Sequence, residues 1–184
     1  MVAVTSLWLP ILVAAVLVFV VSSIIHTVLT YHQNDFEAVP DEDAVRAGLR
    51  GIPPGDYVVP HASSKAERGS EAFQAKMTEG PIAFMTVFPA GEFGMGASLV
   101  QWFLYCILVG LFAGYVAGTA LPTGADYLSV FQIVGAVAFA GYGLALLQNS
   151  IWLRRRWSST LKSTFDALVY ALLTAGTFGW LWPN

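Results

Sequence analysis

Charged residues are scarce in this sequence. Only 11% of the 184 residues are charged and 56% are hydrophobic, and the mean hydropathy is +0.63. This composition excludes an ordinary soluble domain, and the length is that of one domain. We therefore predict an integral membrane protein.

Catalytic and cofactor-binding motifs are also lacking. The sequence has no Gly-x-Ser-x-Gly elbow, no phosphate-binding loop and no dinucleotide fingerprint. The glycine-rich stretch 91–96 follows no clear strand, and we interpret it as a loop leading into a membrane helix. The single Cys106 excludes an intrachain disulfide. We expect no catalytic residue and no cofactor, and a non-enzymatic protein is favoured.

Targeting signals and repeats are missing as well. No Lys or Arg precedes the first apolar run and no small-x-small pattern follows it, so we expect a retained helix instead of a cleaved signal peptide. The loops between successive apolar segments differ greatly in length, which disfavours an inverted-repeat transporter. Nucleic acid is not expected as a partner, because anionic lipid accounts for the one basic cluster at a membrane edge.

Four apolar segments are long enough to cross a bilayer of about 30 Å at about 1.5 Å per residue. They run from Ser6 to Tyr31, Ser98 to Leu121, Tyr127 to Trp152 and Ser163 to Trp182. We predict an all-α membrane protein, a four-transmembrane-helix bundle with a small cytoplasmic insert between helices one and two. Its parts are helix one (1–31), the insert (32–96) and helices two to four (97–184).

A basic stretch sets the predicted orientation. Arg154, Arg155, Arg156 and Lys162 are four of the nine Lys and Arg residues, and they lie between two apolar segments. By the positive-inside rule this stretch faces the cytoplasm. The N- and C-termini are then outside and the loop 32–96 is cytoplasmic. Its acidity does not conflict with this orientation, because Asp and Glu contribute little to the rule.

The insert shows local signals of folding. Acidic residues after Pro40 and basic residues before Gly51 predict one short helix, and Ser70 with Gly80-Pro81 delimits a second. The apolar run from Ile82 to Phe88 is too short to span a membrane. It either pairs with residues 57–59 as a hairpin or lies along the membrane surface, and we favour surface contact.

Small residues recur at helical spacing in the last three apolar segments, as expected for helices that pack closely in lipid. Glycines four residues apart give segment two one smooth face, centred on Gly114, and we expect it to pack against segment three. The predicted packing residues are Gly110, Gly114, Gly118, Gly135, Gly141, Ala171, Ala175 and Gly179.

Four stretches resemble segments of a group of small bacterial inner-membrane proteins of unknown function. They are Ser-Ile-Ile-His-x-Val-Leu-x-Tyr-His (Ser23 to His32), Val-Pro-Asp-Glu-Asp-Ala-Val (Val39 to Val45), Pro-Pro-Gly-Asp-Tyr (Pro53 to Tyr57) and Ser-Leu-Val-Gln-Trp-Phe-Leu-Tyr-Cys (Ser98 to Cys106). The resemblance implies a bacterial inner-membrane location and supplies no catalytic residue.

Polar side chains gather near the cytoplasmic ends of all four predicted helices. An ionisable residue inside a membrane is a functional hypothesis, whereas the simpler interpretation is an interhelical polar clamp. We favour the clamp and expect His26 to face Asp166. The predicted polar cluster consists of His26, Gln101, Gln148, Asn149 and Asp166.

Histidines near carboxylates also raise the possibility of a metal ion. The candidate ligands are His26, His32, Asp35 and His61. Their spacing matches no metal-binding motif, and residues six apart lie on different faces of a helix. We therefore predict no metal site.

Two classes of function follow from this sequence. The favoured one is a non-enzymatic accessory or scaffold subunit that docks partners through its acidic insert and its small-residue faces. The alternative is a small-molecule, proton or metal-linked membrane protein that uses the polar cluster. The expected partners are membrane lipids and either another protein or further copies of this chain.

Overall fold

A computed structural model describes residues 1–91 and 94–184 and divides into two compact units. The first unit contains residues 1–36 and 94–184, and the second contains the remainder of the chain, residues 37–93. Glu92 and Phe93, within the glycine-rich loop predicted before the second apolar segment, lie outside the described residues. Residues 32–36 and 94–96, which the sequence assigned to the insert, belong to the first unit.

The first unit is a bundle of long helices. A 3₁₀ turn at Val4–Leu7 precedes the first helix, and another lies at Leu144–Leu146. The helices of this unit are α1 (Trp8–Thr27), α5 (Met95–Ala120), α6 (Tyr127–Tyr142), α7 (Leu147–Trp152) and α8 (Trp157–Trp180).

Within the described residues, three helical stretches are long and apolar enough to cross a membrane. They are Val4–Thr27, Met95–Ala120 and Tyr127–Trp152. These correspond to the first three segments predicted from hydropathy. Helix α8 is also long, with 24 residues, but Lys162 and Asp166 make its first half more polar.

The two largest differences from the predicted boundaries are at the end of α1 and at the start of α8. Helix α1 ends at Thr27, so Tyr31 lies beyond it in a turn region, because Thr30 and the polar residues after Tyr31 favour turns. Helix α8 begins at Trp157, so Lys162 is helical and only Leu153 to Arg156 connect α7 to α8.

The predicted glycine face of α5 packs within the chain, but with other partners than expected. Gly110 and Gly114 are buried, and a Cβ atom on Gly110 would contact Ile11 of α1. A Cβ atom on Gly114 would lie 3.1 Å from the Phe178 ring of α8. The expectation that Gly114 packs against segment three is therefore wrong. Helices α5 and α6 do pack as neighbours, and there Gly141 faces Val109.

The other predicted packing residues also lie between elements of the bundle. A Cβ atom on Gly135 would lie 3.2 Å from Ala175, so α6 and α8 approach closely at this level. One on Gly179 would lie 2.7 Å from the Tyr127 ring, and Ala171 is buried in the core. At the far end Gly118 accepts a backbone hydrogen bond from Val2 at 2.8 Å.

The second unit contains short helices and a two-stranded antiparallel sheet. Both predicted helices are present, with Asp41 and Ser70 as their N-caps. The strands pair from Gly55 with Val87 to Val59 with Ala83, so the pairing alternative is observed and not only the favoured surface contact. Two short helices lie between the strands in the chain, so they do not form a tight hairpin. The elements are α2 (Glu42–Leu49), β1 (Gly55–Val59), α3 (Lys65–Arg68), α4 (Glu71–Glu79) and β2 (Ala83–Val87).

Candidate ligand site at one end of the bundle

The site forms because the chain turns immediately after α1. Ser22, Ser23 and Thr27 bond back to carbonyls within α1, which satisfies their hydroxyls up to its end. Short turns then follow, with Gln33 N–H bonded to the Thr30 carbonyl and Asp35 N–H to the His32 carbonyl. These turns direct residues 31–35 onto the first half of α8.

Helix α8 presents one polar face to this segment. Lys162, Asp166 and Tyr170 are spaced four residues apart, which places their side chains on the same side of the helix. Asp166 and Tyr170 are buried. We call Tyr31, His32, Asp35, Lys162 and Asp166 the ionic cluster, because hydrogen bonds and ion pairs connect all five.

His32 bridges two carboxylates at the centre of the ionic cluster. Its Nδ1 lies 2.6 Å from Asp35 Oδ2, and its Nε2 lies 2.7 Å from Asp166 Oδ2. The Asp166 side chain is 3% exposed and that of Asp35 is 6% exposed, so neither charge is well solvated. Two nearly dry carboxylates therefore flank one imidazole.

The remaining members of the ionic cluster hold these carboxylates in place. Lys162 Nζ donates to Asp35 Oδ1 at 3.0 Å and to the Tyr31 carbonyl at 2.5 Å, and the Tyr31 hydroxyl donates to Asp166 Oδ1. Burial alone would raise the pKa of Asp35, but hydrogen bonds from His32, Lys162 and Ser159 outweigh it and lower that pKa to about 2. Asp35 is thus a fixed negative charge at neutral pH.

The charges of the ionic cluster do not balance without a further positive species. Asp35 and Asp166 supply two negative charges, and Lys162 balances one of them. The short contact between His32 Nε2 and Asp166 Oδ2 joins two atoms that both carry lone pairs when neither is protonated. A positive species, either a proton or another cation, must therefore lie between them.

A second histidine adjoins the cluster. The rings of His26 and His32 lie 4.8 Å apart between centroids. One ligand atom each from His26, His32 and Asp166 lies within 4.8 Å of the other two. His26 is exposed, so this side of the site is open at the end of α1. The end of α1 at Thr27 brings together two histidines that an uninterrupted helix would separate.

A buried hydroxyl next to the cluster has no partner. Within the residues that the structure describes, the Tyr170 hydroxyl is the buried side-chain polar atom that makes no hydrogen bond. It lies one helical turn from Asp166 and within electrostatic range of Asp166 and Tyr31. The rings of Trp102 and Tyr142 each lie 5.8 Å from the Tyr170 ring and close the site on the bundle side. An orphan hydroxyl in such a place is a free group for a ligand or a water.

The predicted polar cluster is only partly assembled. Asp166 and His26 come together, but the hydrogen bonds to Asp166 come from Tyr31 and His32. Gln101 and Gln148 are exposed, and Asn149 uses its backbone carbonyl to accept from Leu153 and Arg155. Neighbouring residues make the interhelical bonds instead. They are Trp102 with Ser22 (2.8 Å) and Ser150 with Thr160 (2.7 Å).

Three residues of the site, Tyr31, Lys162 and Tyr170, were not predicted from the sequence. The signal was the spacing of Lys162, Asp166 and Tyr170, which marks one polar face on an otherwise apolar helix. Of the metal candidates, Asp35 has both carboxylate oxygens in hydrogen bonds. His61 belongs to the second unit, where it borders an open groove with Tyr57 and Phe84.

Comparison with known proteins adds no assignment, because no family model, curated protein or solved structure matches this chain.

Proposed function

We propose that this protein is a bacterial inner-membrane protein with four transmembrane helices that binds a small cationic ligand in its ionic cluster. The fourth crossing is supported by the burial pattern of α8. Its polar residues Asp166, Thr174 and Thr177 are buried, whereas Phe165 and Leu172 are exposed. A helix with polar residues inside and apolar residues outside suits lipid better than water.

Contacts of the C-terminus further support a fourth crossing. Trp182 Nε1 donates to the Pro122 carbonyl at 2.9 Å, and Gly124 N–H donates to the Pro183 carbonyl at 2.8 Å. The end of α8 therefore lies beside the α5–α6 turn. At about 1.5 Å per residue, the 24 residues of α8 cover about 36 Å, as much as a bilayer core requires.

The orientation rests on the basic residues between α7 and α8, which predict a cytoplasmic insert and outer termini. Labelling of single cysteines in intact cells tests both proposals. We expect Thr123→Cys and Asn184→Cys to react from outside and Ser158→Cys to be protected, with buried Cys106 as background. Protection of Asn184→Cys alone would mean three crossings, and a reversed pattern would mean the opposite orientation.

The observation that carries the ligand-binding proposal is the pair of buried carboxylates around His32. Burying a charge is costly unless it is fully compensated, and a buried ion pair is weak support for stability. Two carboxylates with a single lysine leave one position, between His32 Nε2 and Asp166 Oδ2, at which either a proton or a bound cation completes the charge balance. They are a suitable site for a ligand that brings positive charge.

The structure weakens one of the two arguments for a protein-docking function. The small-residue faces that suggested it are occupied within the chain, since Gly110 contacts α1 and Gly114 contacts α8. The acidic insert remains a surface through which a partner can bind. A protein partner or a second copy of the chain is accordingly an outcome of the test below.

Native mass spectrometry of the full chain, released from mild detergent, tests the proposal. We expect a non-covalent mass on the wild-type protein that the Asp166→Asn variant loses. Asp126→Asn is the matched control, because Asp126 is an exposed N-cap at the start of α6. A stoichiometric protein partner with no small bound mass would contradict ligand binding and favour the docking function.

A further inference from the structure

We propose, resting on the proposed function, that the ligand is a divalent first-row transition-metal ion bound by His26, His32 and Asp166. Two imidazoles and one carboxylate form a donor set typical of zinc and non-haem iron. The three ligand atoms already lie within 4.8 Å of one another.

His32 is oriented for this role by a second carboxylate. Asp35 Oδ2 lies 2.6 Å from His32 Nδ1, and Lys162 in turn fixes Asp35 through its other oxygen at 3.0 Å. A carboxylate on one ring nitrogen keeps the proton there and leaves the lone pair of the other nitrogen free for a metal. Nε2 is that other nitrogen, and it points at Asp166.

The distances require only small side-chain movements. Ligands about 2.0 Å from a tetrahedral metal lie about 3.3 Å from one another. The contact of 2.7 Å between His32 Nε2 and Asp166 Oδ2 must open slightly, and His26 must move inward from the surface. The metal takes the place of the positive species that this contact needs. A divalent ion brings one more positive charge than a proton does, and an anionic group such as hydroxide in the open coordination position can balance that charge.

Groups next to the three ligands can complete the coordination of the metal. Three protein ligands leave a fourth position for water or a small molecule. The buried Tyr170 hydroxyl, one turn from Asp166, is available to bond a water in that position. The exposed edge at His26 provides an entry path from the end of the bundle.

The nature of the donors also predicts which ions are rejected. Mg²⁺ and Ca²⁺ prefer sites made of oxygen atoms, whereas imidazole nitrogen favours zinc, iron, nickel and copper. Asp35 does not convert the site to an oxygen-rich one, because both of its oxygens are already bonded to His32 and Lys162.

The test uses the full chain in detergent, stripped with a chelator and purified with a tag that contains no histidine. Zn²⁺ is titrated by calorimetry, and Co²⁺ by its visible absorption, which is intense in tetrahedral sites. The ligand variants are His26→Gln, His32→Gln and Asp166→Asn, and His61→Gln is the matched control. His26→Gln changes an exposed side chain, so it keeps the test valid if the other two fail to fold.

We expect one Zn²⁺ per chain, undisturbed by millimolar Mg²⁺ and unchanged in His61→Gln. Asp35→Asn should weaken binding by about 10- to 100-fold, and each ligand variant by more than that. Binding that survives His26→Gln unchanged would overturn the ligand set. If wild type binds no Zn²⁺ or Co²⁺ but still carries a small mass that Asp166→Asn loses, the metal is wrong and the ligand-binding function stands. If both are absent, both proposals fail.

Discussion

The two ends of the bundle differ in the side chains that hold them together: small and apolar residues at one end, charged and polar residues at the other. At the end near Val2, glycines of α5 allow neighbouring segments to pack closely. The Val2 backbone approaches α5 so closely that a Cβ atom on Gly118 would lie 2.5 Å from the Val2 carbonyl oxygen. We call Val2, Leu7, Gly114, Gly118 and Phe178 the close-packed end. Leu7 and Phe178 are fully buried there. Close approach of backbones is how membrane helices gain stability in lipid.

The other end contains the ionic cluster, in which His32 contacts two buried carboxylates and Tyr170 retains an unbonded hydroxyl. None of these features is an efficient way to hold helices together. The contrast supports the proposal that one end provides stability and the other a ligand site. Substitutions at the two ends should therefore have different consequences, and those consequences test the comparison.

The largest effect is expected for His32→Leu. Removal of the imidazole leaves the Asp166 carboxylate buried with only the Tyr31 hydroxyl, and an uncompensated buried charge costs about 3 to 5 kcal/mol. Denaturant titration in mixed micelles should show a loss of that size in the free energy of unfolding. His61→Leu is the control, because His61 is exposed in the second unit and should change little. Equal losses of stability in His32→Leu and His61→Leu would show that the His32 imidazole does not compensate the buried Asp166 carboxylate.

An intermediate effect is expected for Gly118→Ala at the close-packed end. The added methyl group would collide with the Val2 backbone and disturb its 2.8 Å hydrogen bond to Gly118, at a cost of about 1 to 3 kcal/mol. Gly96→Ala, in the same helix but with open space around it, should be neutral or slightly stabilising. The same denaturant titration measures both variants. A tolerated Gly118→Ala would mean that this end is not tightly packed.

The smallest effect, with the opposite sign, is expected for Tyr170→Phe. Removal of an unbonded buried hydroxyl relieves its desolvation, so stability should stay constant or rise by up to about 1 kcal/mol. Tyr31→Phe is the matched variant, because it loses a hydrogen bond to a carboxylate and should cost about 1.5 to 3 kcal/mol. Thermal unfolding in detergent compares them. A clear loss in Tyr170→Phe would show that its hydroxyl is bonded after all.

Hydropathy and length are sufficient to predict the three apolar helices, because a membrane-length apolar run has few alternatives to a helix. Capping signals likewise predict the helices that follow Asp41 and Ser70. The fourth long helix was placed about six residues too late, at Ser163, because its polar first turns resemble a loop in a hydropathy profile. Those turns carry Lys162 and lead to Asp166.

The site could be predicted only in part, for two physical reasons. Helical periodicity places His26 and His32 on different faces only if one helix contains both residues. The end of α1 at Thr27 could not be predicted to the residue, because only weak local preferences determine where a helix ends. The partner of a glycine face is likewise set by tertiary packing, so Gly114 gave no sequence signal for Phe178. The end of the bundle at which His26 and Asp166 meet was predictable, because the position of a residue along its helix determines how far along the bundle it lies.

The most direct test of the central claim is the stability of the double variant His32→Leu/Asp166→Leu. This variant removes one carboxylate with its imidazole and leaves Asp35 paired with Lys162 at 3.0 Å. Replacement of both members of a buried ion pair by apolar residues is often nearly neutral. If the ionic cluster is a site, the double variant should be more stable than His32→Leu alone. Losses that simply add would show that the two side chains are not coupled. A double variant as unstable as the less stable single variant would show that the pair itself, and not a carboxylate left without its partner, determines the stability. Either result would contradict the account.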